Sequence, residues 1–424
     1  MFSMQKGIKI CRARVLFAGL AGIVIHSSVA ASVLSLEFAE QLALSSDPGV
    51  QAVQANQRAL EEMSVAAEQL PDPLLKMGLM SLPTDTFNLG QEAMTQVQVG
   101  LVQKFPRGKT RELTSAQIGL KSRGLGDMAR DQELQILLAV REQYFEVAKQ
   151  QYLARINAEA ITAFSDVADI TQDYYATGRV QQQAVLQAAV ELAKVEDRAA
   201  RISQDEEQAR ARLSVWIGDA AFNDLEEAWP QLNPQTSADA IKDSLMTHPR
   251  VLALQKNISA ADTGVELARQ KYKPEFALDV TYGGRGGMNP NGSSRTDMLS
   301  VMVVMDVPLF TKNRQDRVVA AQIAESSAAM FSRDDLLRRM RSEVDFHLAT
   351  YQRQQQRIDL FENSLLPEAA FSSEASFGAY QSSLEDLTTL LRTRITEFDL
   401  QLEHARLLAE VRKTQARLLY LEGE

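Results

Sequence analysis

The sequence predicts a mainly α protein with a small β part, built by internal tandem duplication. Three observations carry this. Proline is absent from Arg107 to Trp229, and Pro367 is the only proline between Leu309 and Glu424; long helices explain such gaps, because proline breaks a helix interior. Two pairs of short segments alternate apolar and polar residues with the period of a strand. The chain also matches itself at an offset of 201 to 204 residues.

Composition fits that class. Of 424 residues, 45% are hydrophobic, 24% charged and 6% aromatic, which is ample material for a core and excludes a disordered chain. The length could hold two or three domains of roughly 150 residues. A net charge of −10 lacks the basic excess of a nucleic-acid binder.

Residues 1–30 read as a secretory signal. Lys6, Lys9, Arg12 and Arg14 precede an apolar run from Val15 to Ile25, too short to span a bilayer, and Ser28-Val29-Ala30 places the cut between Ala30 and Ala31. Cleavage removes four cations, leaving 41 against 55 acids, or −14. It also removes the only cysteine, Cys11. The remaining chain is expected to have no disulfide, no thiolate metal site and no cysteine nucleophile.

Two repeats follow, 31–233 and 234–424. Asp47-Pro48-Gly49-Val50 matches His248-Pro249-Arg250-Val251, and Pro73 matches Pro274, both at an offset of 201. Val97–Pro106 matches Leu299–Pro308 at 202, and Tyr175–Val180 matches Ala379–Leu384 at 204. In each copy a first helix starts at a serine N-cap, Ser35 or Ser237. A second starts at Pro48 or Pro249, proline being tolerated in a first turn, and ends before Pro71 or Pro274.

Strands are expected at about 74–80 and 95–105, then at about 275–282 and 298–307. Val97, Val99 and Leu101 form an apolar face opposite Gln96, Gln98 and Gly100; Leu299, Val301, Val303, Met305 and Val307 form another. Such strands suit a transmembrane barrel, but four cannot close one, since the smallest single-chain barrels have about eight. If they face lipid, several chains must share one barrel, because an open edge there leaves N–H and C=O groups unpaired. Three chains would supply twelve strands. The competing reading is two soluble hairpins packed on the helices.

Each repeat ends in a long helical hairpin. Thr110 to about Ala176 would span ~100 Å. Near the C-terminus Leu384, Leu387, Leu391, Ile395, Phe398, Leu402, Ala405 and Ala409 keep steps of three and four, close to a coiled-coil repeat.

Taken together, these features resemble the TolC family of outer-membrane efflux proteins over essentially the whole mature chain. A narrower likeness is to the outer-membrane components of heavy-metal efflux systems of the CzcC type. It rests on Leu70–Leu79, Leu82-Pro83-Thr84-Asp85, Met94-Thr95-Gln96 and Phe105-Pro106-Arg107-Gly108-Lys109. The resemblance implies a homotrimer in the outer membrane, with a shared twelve-stranded β-barrel and a long α-helical periplasmic barrel. Its helical end would dock on a periplasmic adaptor coupled to an inner-membrane pump of the RND type. The protein would be a passive exit duct and not an enzyme, without cofactor or nucleic-acid partner.

The hairpin tips carry the candidate gate residues. The first is Tyr174-Tyr175-Ala176-Thr177-Gly178; the second runs from Phe377 through Tyr380 and Ser382 to Leu384. Gly178 suits a left-handed turn. Ser382 aligns with it, so the second turn is expected to be built differently. In some family members a ring of aspartates narrows the mouth; that position aligns with Thr388, and with Ala184 in the first copy. The nearest acids, Glu385 and Asp386, could supply the ring instead, favouring cations, or could be a solvated helix end.

Other motifs look chemical without being so. Gly108-Lys109-Thr110 lacks the earlier glycine of a phosphate loop, Gln103 standing there. Gly283–Gly287 precedes loop residues rather than a helix. None of His26, His248, His347 and His404 pairs at metal-ligand spacing. Met77, Met80, Met94, Met298, Met302 and Met305 lie in or beside strands; thioethers can bind Cu(I) or Ag(I) but are also ordinary packing groups. Drug efflux and type I secretion compete with metal efflux for the cargo. A soluble periplasmic coiled-coil scaffold is the alternative from another class.

Overall fold

A computed structural model describes residues 33–45 and 47–424. The expected signal and its Ala30–Ala31 cleavage point lie outside the described residues. Helix α1 (Leu36–Ser45) starts at Ser35, whose Oγ accepts from Phe38 N at 3.2 Å. Helix α2 (Pro48–Glu68) is capped by Asp47, which accepts from Val50 N at 2.8 Å. Strands β1 (Leu74–Met80) and β2 (Gln96–Phe105) lead into α3 (Thr110–Ala176) and α4 (Gln182–Ile217). The second half repeats the plan: α5 (Ala238–Ser244), α6 (Pro249–Gln270), β3 (Phe276–Gly284), β4 (Met298–Met305), α7 (Gln315–Leu360), α8 (Leu366–Gln381) and α9 (Leu387–Glu422).

The duplication is visible in the lengths. Helices α4 and α9 each have 36 residues, and α3 has 67. Its counterpart runs from Gln315 to Gln381, the same length, although Pro367 lies within it. A single π turn, Phe361–Leu365, precedes that proline. Proline has no N–H for the carbonyl four residues back and its ring crowds that carbonyl; a widened turn absorbs both faults, so the rod continues. Phe361 is buried there and stacks on His404 at 5.9 Å.

Helix α3 is the central rod. It packs on α2 and α4 along one flank and on α6 and α9 along the other, and α7 lies beyond α6 and α9. The two outer flanks expose large apolar groups, Met63, Val65, Leu186 and Val190 on one, Ile323, Phe331, Phe346 and Phe371 on the other. At mid-length a girdle joins α1 to Val140, Tyr144 and Phe145 of α3 and to Leu213 and Ile217 of α4, with Trp216 and Trp229 against it. Toward the tips a second core joins α3, α4 and α9 through Phe164, Ile202, Leu391 and Phe398. The coiled-coil seam begins at Leu387; Leu384 lies outside α9 and is 84% exposed.

Ion pairs fasten α3 to α9: Glu146 to Lys413 at 2.5 Å and Glu142 to Arg417 at 2.6 Å. Burial alone would raise the Glu146 carboxyl, but hydrogen bonds from Lys149 and Lys413 outweigh it and hold it at about 2. Its contribution is therefore complete above the unfolded value of 4.5 and is lost as pH falls toward about 2. Glu146→Gln should destabilise the protein by roughly 1–3 kcal/mol at pH 7, leaving Lys413 poorly compensated. Thermal melts of the two proteins in detergent should converge as pH drops through that window.

The four strands form one antiparallel sheet in the order β1-β2-β3-β4. Its register separates two faces. Leu75, Leu101, Val280 and Val301 lie in one row, and Met77, Val99, Tyr282 and Leu299 in another, both on an apolar face. Lys76, Gly100, Thr281 and Ser300 share a row on the opposite, mostly polar face. There Lys76 meets Asp279 at 2.7 Å and Thr281 Oγ1 donates to Asp279 at 2.6 Å. Gly100 is needed beneath them, since a Cβ there would stand 2.5 Å from Thr281 Oγ1. Both edge strands are fully exposed. Strand β3 runs two residues past the expected end, and β4 stops at Met305.

Candidate functional site

The two hairpin tips are built alike, which corrects the expectation for the second. In the first, Gly178 has φ +73° and Arg179 N donates to Tyr174 O at 2.8 Å. In the second, Ser383 has φ +57° and Leu384 N donates to Ala379 O at 2.9 Å. Ser383, not Ser382, is the counterpart of Gly178; Ser382 closes α8 as Thr177 closes α3. The repeat offset at the tips is thus 205, so Tyr175 corresponds to Tyr380 and Thr388 to Gln183 rather than Ala184. A left-handed turn costs a non-glycine residue about 1–2 kcal/mol, which serine bears here.

Two hydroxyls tie the tips together. Thr171 Oγ1 donates to Val167 O at 2.7 Å, so the contact of 3.1 Å with Tyr380 has the tyrosine as donor. Tyr174 donates to Gln381 O at 3.0 Å. The Tyr174 and Tyr380 rings lie 5.6 Å apart, and the Arg179 guanidinium stands 5.2 Å from the Tyr174 ring. A groove between the tips is lined by Arg179, Gln183, Tyr380, Glu385, Asp386 and Thr388. Tyr175 is 42% exposed and takes no part in the tie. Thr171 was not singled out from sequence; its only signal is its place one helical turn before Tyr174.

Glu385 and Asp386 differ in role. Asp386 caps α9, accepting from Thr389 N at 2.8 Å, and that N–H holds its carboxyl below the usual range. Glu385 is half-buried in the groove.

The chemical look-alikes resolve into structure. Gly108, at φ +45°, turns β2 into α3. His248 is a buried N-cap: Nδ1 accepts from Arg250 N at 3.2 Å, so Nε2–H donates to Tyr420 O at 2.9 Å. Burial holds it in the neutral form that makes both bonds. Among the described residues no group of three or more His, Cys, Asp or Glu converges on a metal geometry. None of their helices is long and apolar enough to cross a membrane.

No protein-family model matches the chain, and neither does any curated protein sequence. Solved structures do. The outer membrane protein VceC from Vibrio cholerae superposes with a TM-score of 0.77 at 16% identity, over 92% of this chain and 96% of its own. The open state of the Neisseria gonorrhoeae MtrE outer membrane channel gives 0.76 at 13%, over 92% and 88%. CusC, studied for its folding and transmembrane channel formation, gives 0.76 at 14%, over 91% of each chain. The chain has the fold of these outer-membrane channels. The channel fold takes in sheet, girdle and both long rods, so the mainly helical architecture expected from proline spacing and strand alternation is the one observed.

Proposed function

We propose that the protein is one third of an outer-membrane channel, the passive exit duct of a tripartite efflux system. The observation that carries this is the sheet: one apolar face and two exposed edge strands, with four strands among the described residues. Hydrocarbon does not tolerate an open edge, and head-to-tail pairing of β4 with β1 around a threefold axis removes every edge. The apolar flanks on α2 with α4 and on α7 with α8 would close in the same sense. The helices then form a periplasmic tunnel whose tips meet a periplasmic adaptor and, through it, an inner-membrane pump of the RND type.

In this reading the duct performs no catalysis and needs no cofactor. Repeats 31–233 and 234–424 are quasi-equivalent sixths of the wall, two from each of three chains. Tyr380 with Thr171, and Tyr174 with Gln381, hold the tips in their resting arrangement around the turns at Gly178 and Ser383. Glu385 supplies the charged ring at the mouth, Asp386 being committed to its helix cap. Heavy-metal cations are the cargo, supported by the segment 70–109. The mass of the detergent-purified protein tests the assembly: three chains per particle are expected. A monomer soluble without detergent would favour the periplasmic scaffold instead.

A further inference from the structure

Strand register sorts the methionines of the sheet into two sets. Met77 and Met305 fall on the apolar face with Leu75 and Val301; Met80, Met298 and Met302 fall on the polar face with Lys76 and Thr281. Met80 lies on one exposed edge strand and Met302 on the other. Gln98 Nε2 already donates to the Met80 sulfur at 3.0 Å. Within one chain the width of the sheet separates the two methionines.

The shared-barrel reading, on which this inference rests, brings those edges together, and the chain contains a template for the junction. Inside the protomer β2 pairs with β3, Gly100 standing opposite Thr281. The repeat relates Gly100 to Met302 at an offset of 202 and Met80 to Thr281 at 201. The equivalent register at the seam sets Met302 opposite Met80 of the next copy. It also sets Val303 against Leu79 on the lipid side, both within their strands. Apolar thus meets apolar on the lipid side, and thioether meets thioether on the polar side. The two hairpins of one chain differ by two residues in this frame, Leu75 pairing with Leu101 but Phe276 with Met305. A slip of that size leaves the methionines diagonal neighbours, roughly 7–8 Å apart, within reach of two flexible thioethers.

We propose that Met80 and Met302 form a thioether pair at each protomer seam, a lumenal site for a soft monovalent cation such as Ag(I) or Cu(I). Thioether sulfur is a soft donor suited to such ions, and the polar face gives them access from water. The same register pairs Met77 with Met305 on the lipid face, where no hydrated ion arrives.

Two measurements on the detergent-purified trimer test this. With Cys11→Ser as background, Met80→Cys with Met302→Cys should give covalently linked chains on mild oxidation, and Met80→Cys with Met298→Cys should not. In calorimetric titration with Ag(I) alone, the unmodified protein should bind about three more ions per trimer than Met80→Leu with Met302→Leu, one per seam. Met77→Leu with Met305→Leu should bind as the unmodified protein does. An intact trimer that cross-links only through the 298 pair, or binds Ag(I) equally in all three proteins, overturns the site and leaves the channel reading standing. A protein that never trimerises overturns the channel reading, and the site with it.

Discussion

Val301→Arg should abolish recovery of trimers from the membrane, whereas Ser300→Arg, one residue away, should leave assembly intact. The two positions point to opposite faces of β4, Val301 in the row of Leu75 and Leu101, Ser300 in the row of Lys76 and Gly100. An arginine on the lipid face of a barrel costs about 2–4 kcal/mol near the midplane, and a trimer carries three. An arginine on the lumenal face stays hydrated and adds positive charge to the duct, so cation conductance should fall while mass is unchanged. Equal assembly of both variants would mean the apolar face does not meet lipid.

Tyr380→Phe combined with Thr171→Val should loosen the tips without unfolding them. The ring of Tyr380 keeps its packing against Tyr174; the one bond lost between the tips is the hydroxyl contact of 3.1 Å, the bond from Thr171 Oγ1 to Val167 O being internal to α3. One net hydrogen bond contributes about 0.5–1.5 kcal/mol, so the open population should rise by up to about tenfold. More frequent openings in a planar bilayer, at unchanged trimer mass and melting temperature, are the expected readout. Unchanged opening in an intact trimer would remove these residues from the gate.

Much of the fold was legible because it depends on patterns that few alternatives share. Long proline-free blocks with helical period correspond to α3, α4 and α9, and period-two alternation to the strands that carry Val97–Leu101 and Leu299–Val303. The N-caps Ser35 and Ser237 stand where expected, and the helices expected at Pro48 and Pro249 start there, with Asp47 and His248 as the caps that the structure adds. Other features were hidden for physical reasons. Pro367 marks a break by rule, yet the π turn at Phe361–Leu365 absorbs it, and no residue type signals such a turn. The second tip was misaligned by one residue because glycine was expected at the left-handed position, which Ser383 fills. The tie between Thr171 and Tyr380 joins residues 209 apart in sequence, so only the packed hairpins reveal it. The girdle has no period to read; the tryptophans at 216 and 229 were its one compositional trace.

Single-channel conductance of the detergent-purified protein in a planar bilayer tests the central claim most directly. The shared barrel predicts discrete, long-lived openings from a particle of three chains. A well-folded protein that remains monomeric, needs no detergent and never conducts would contradict it.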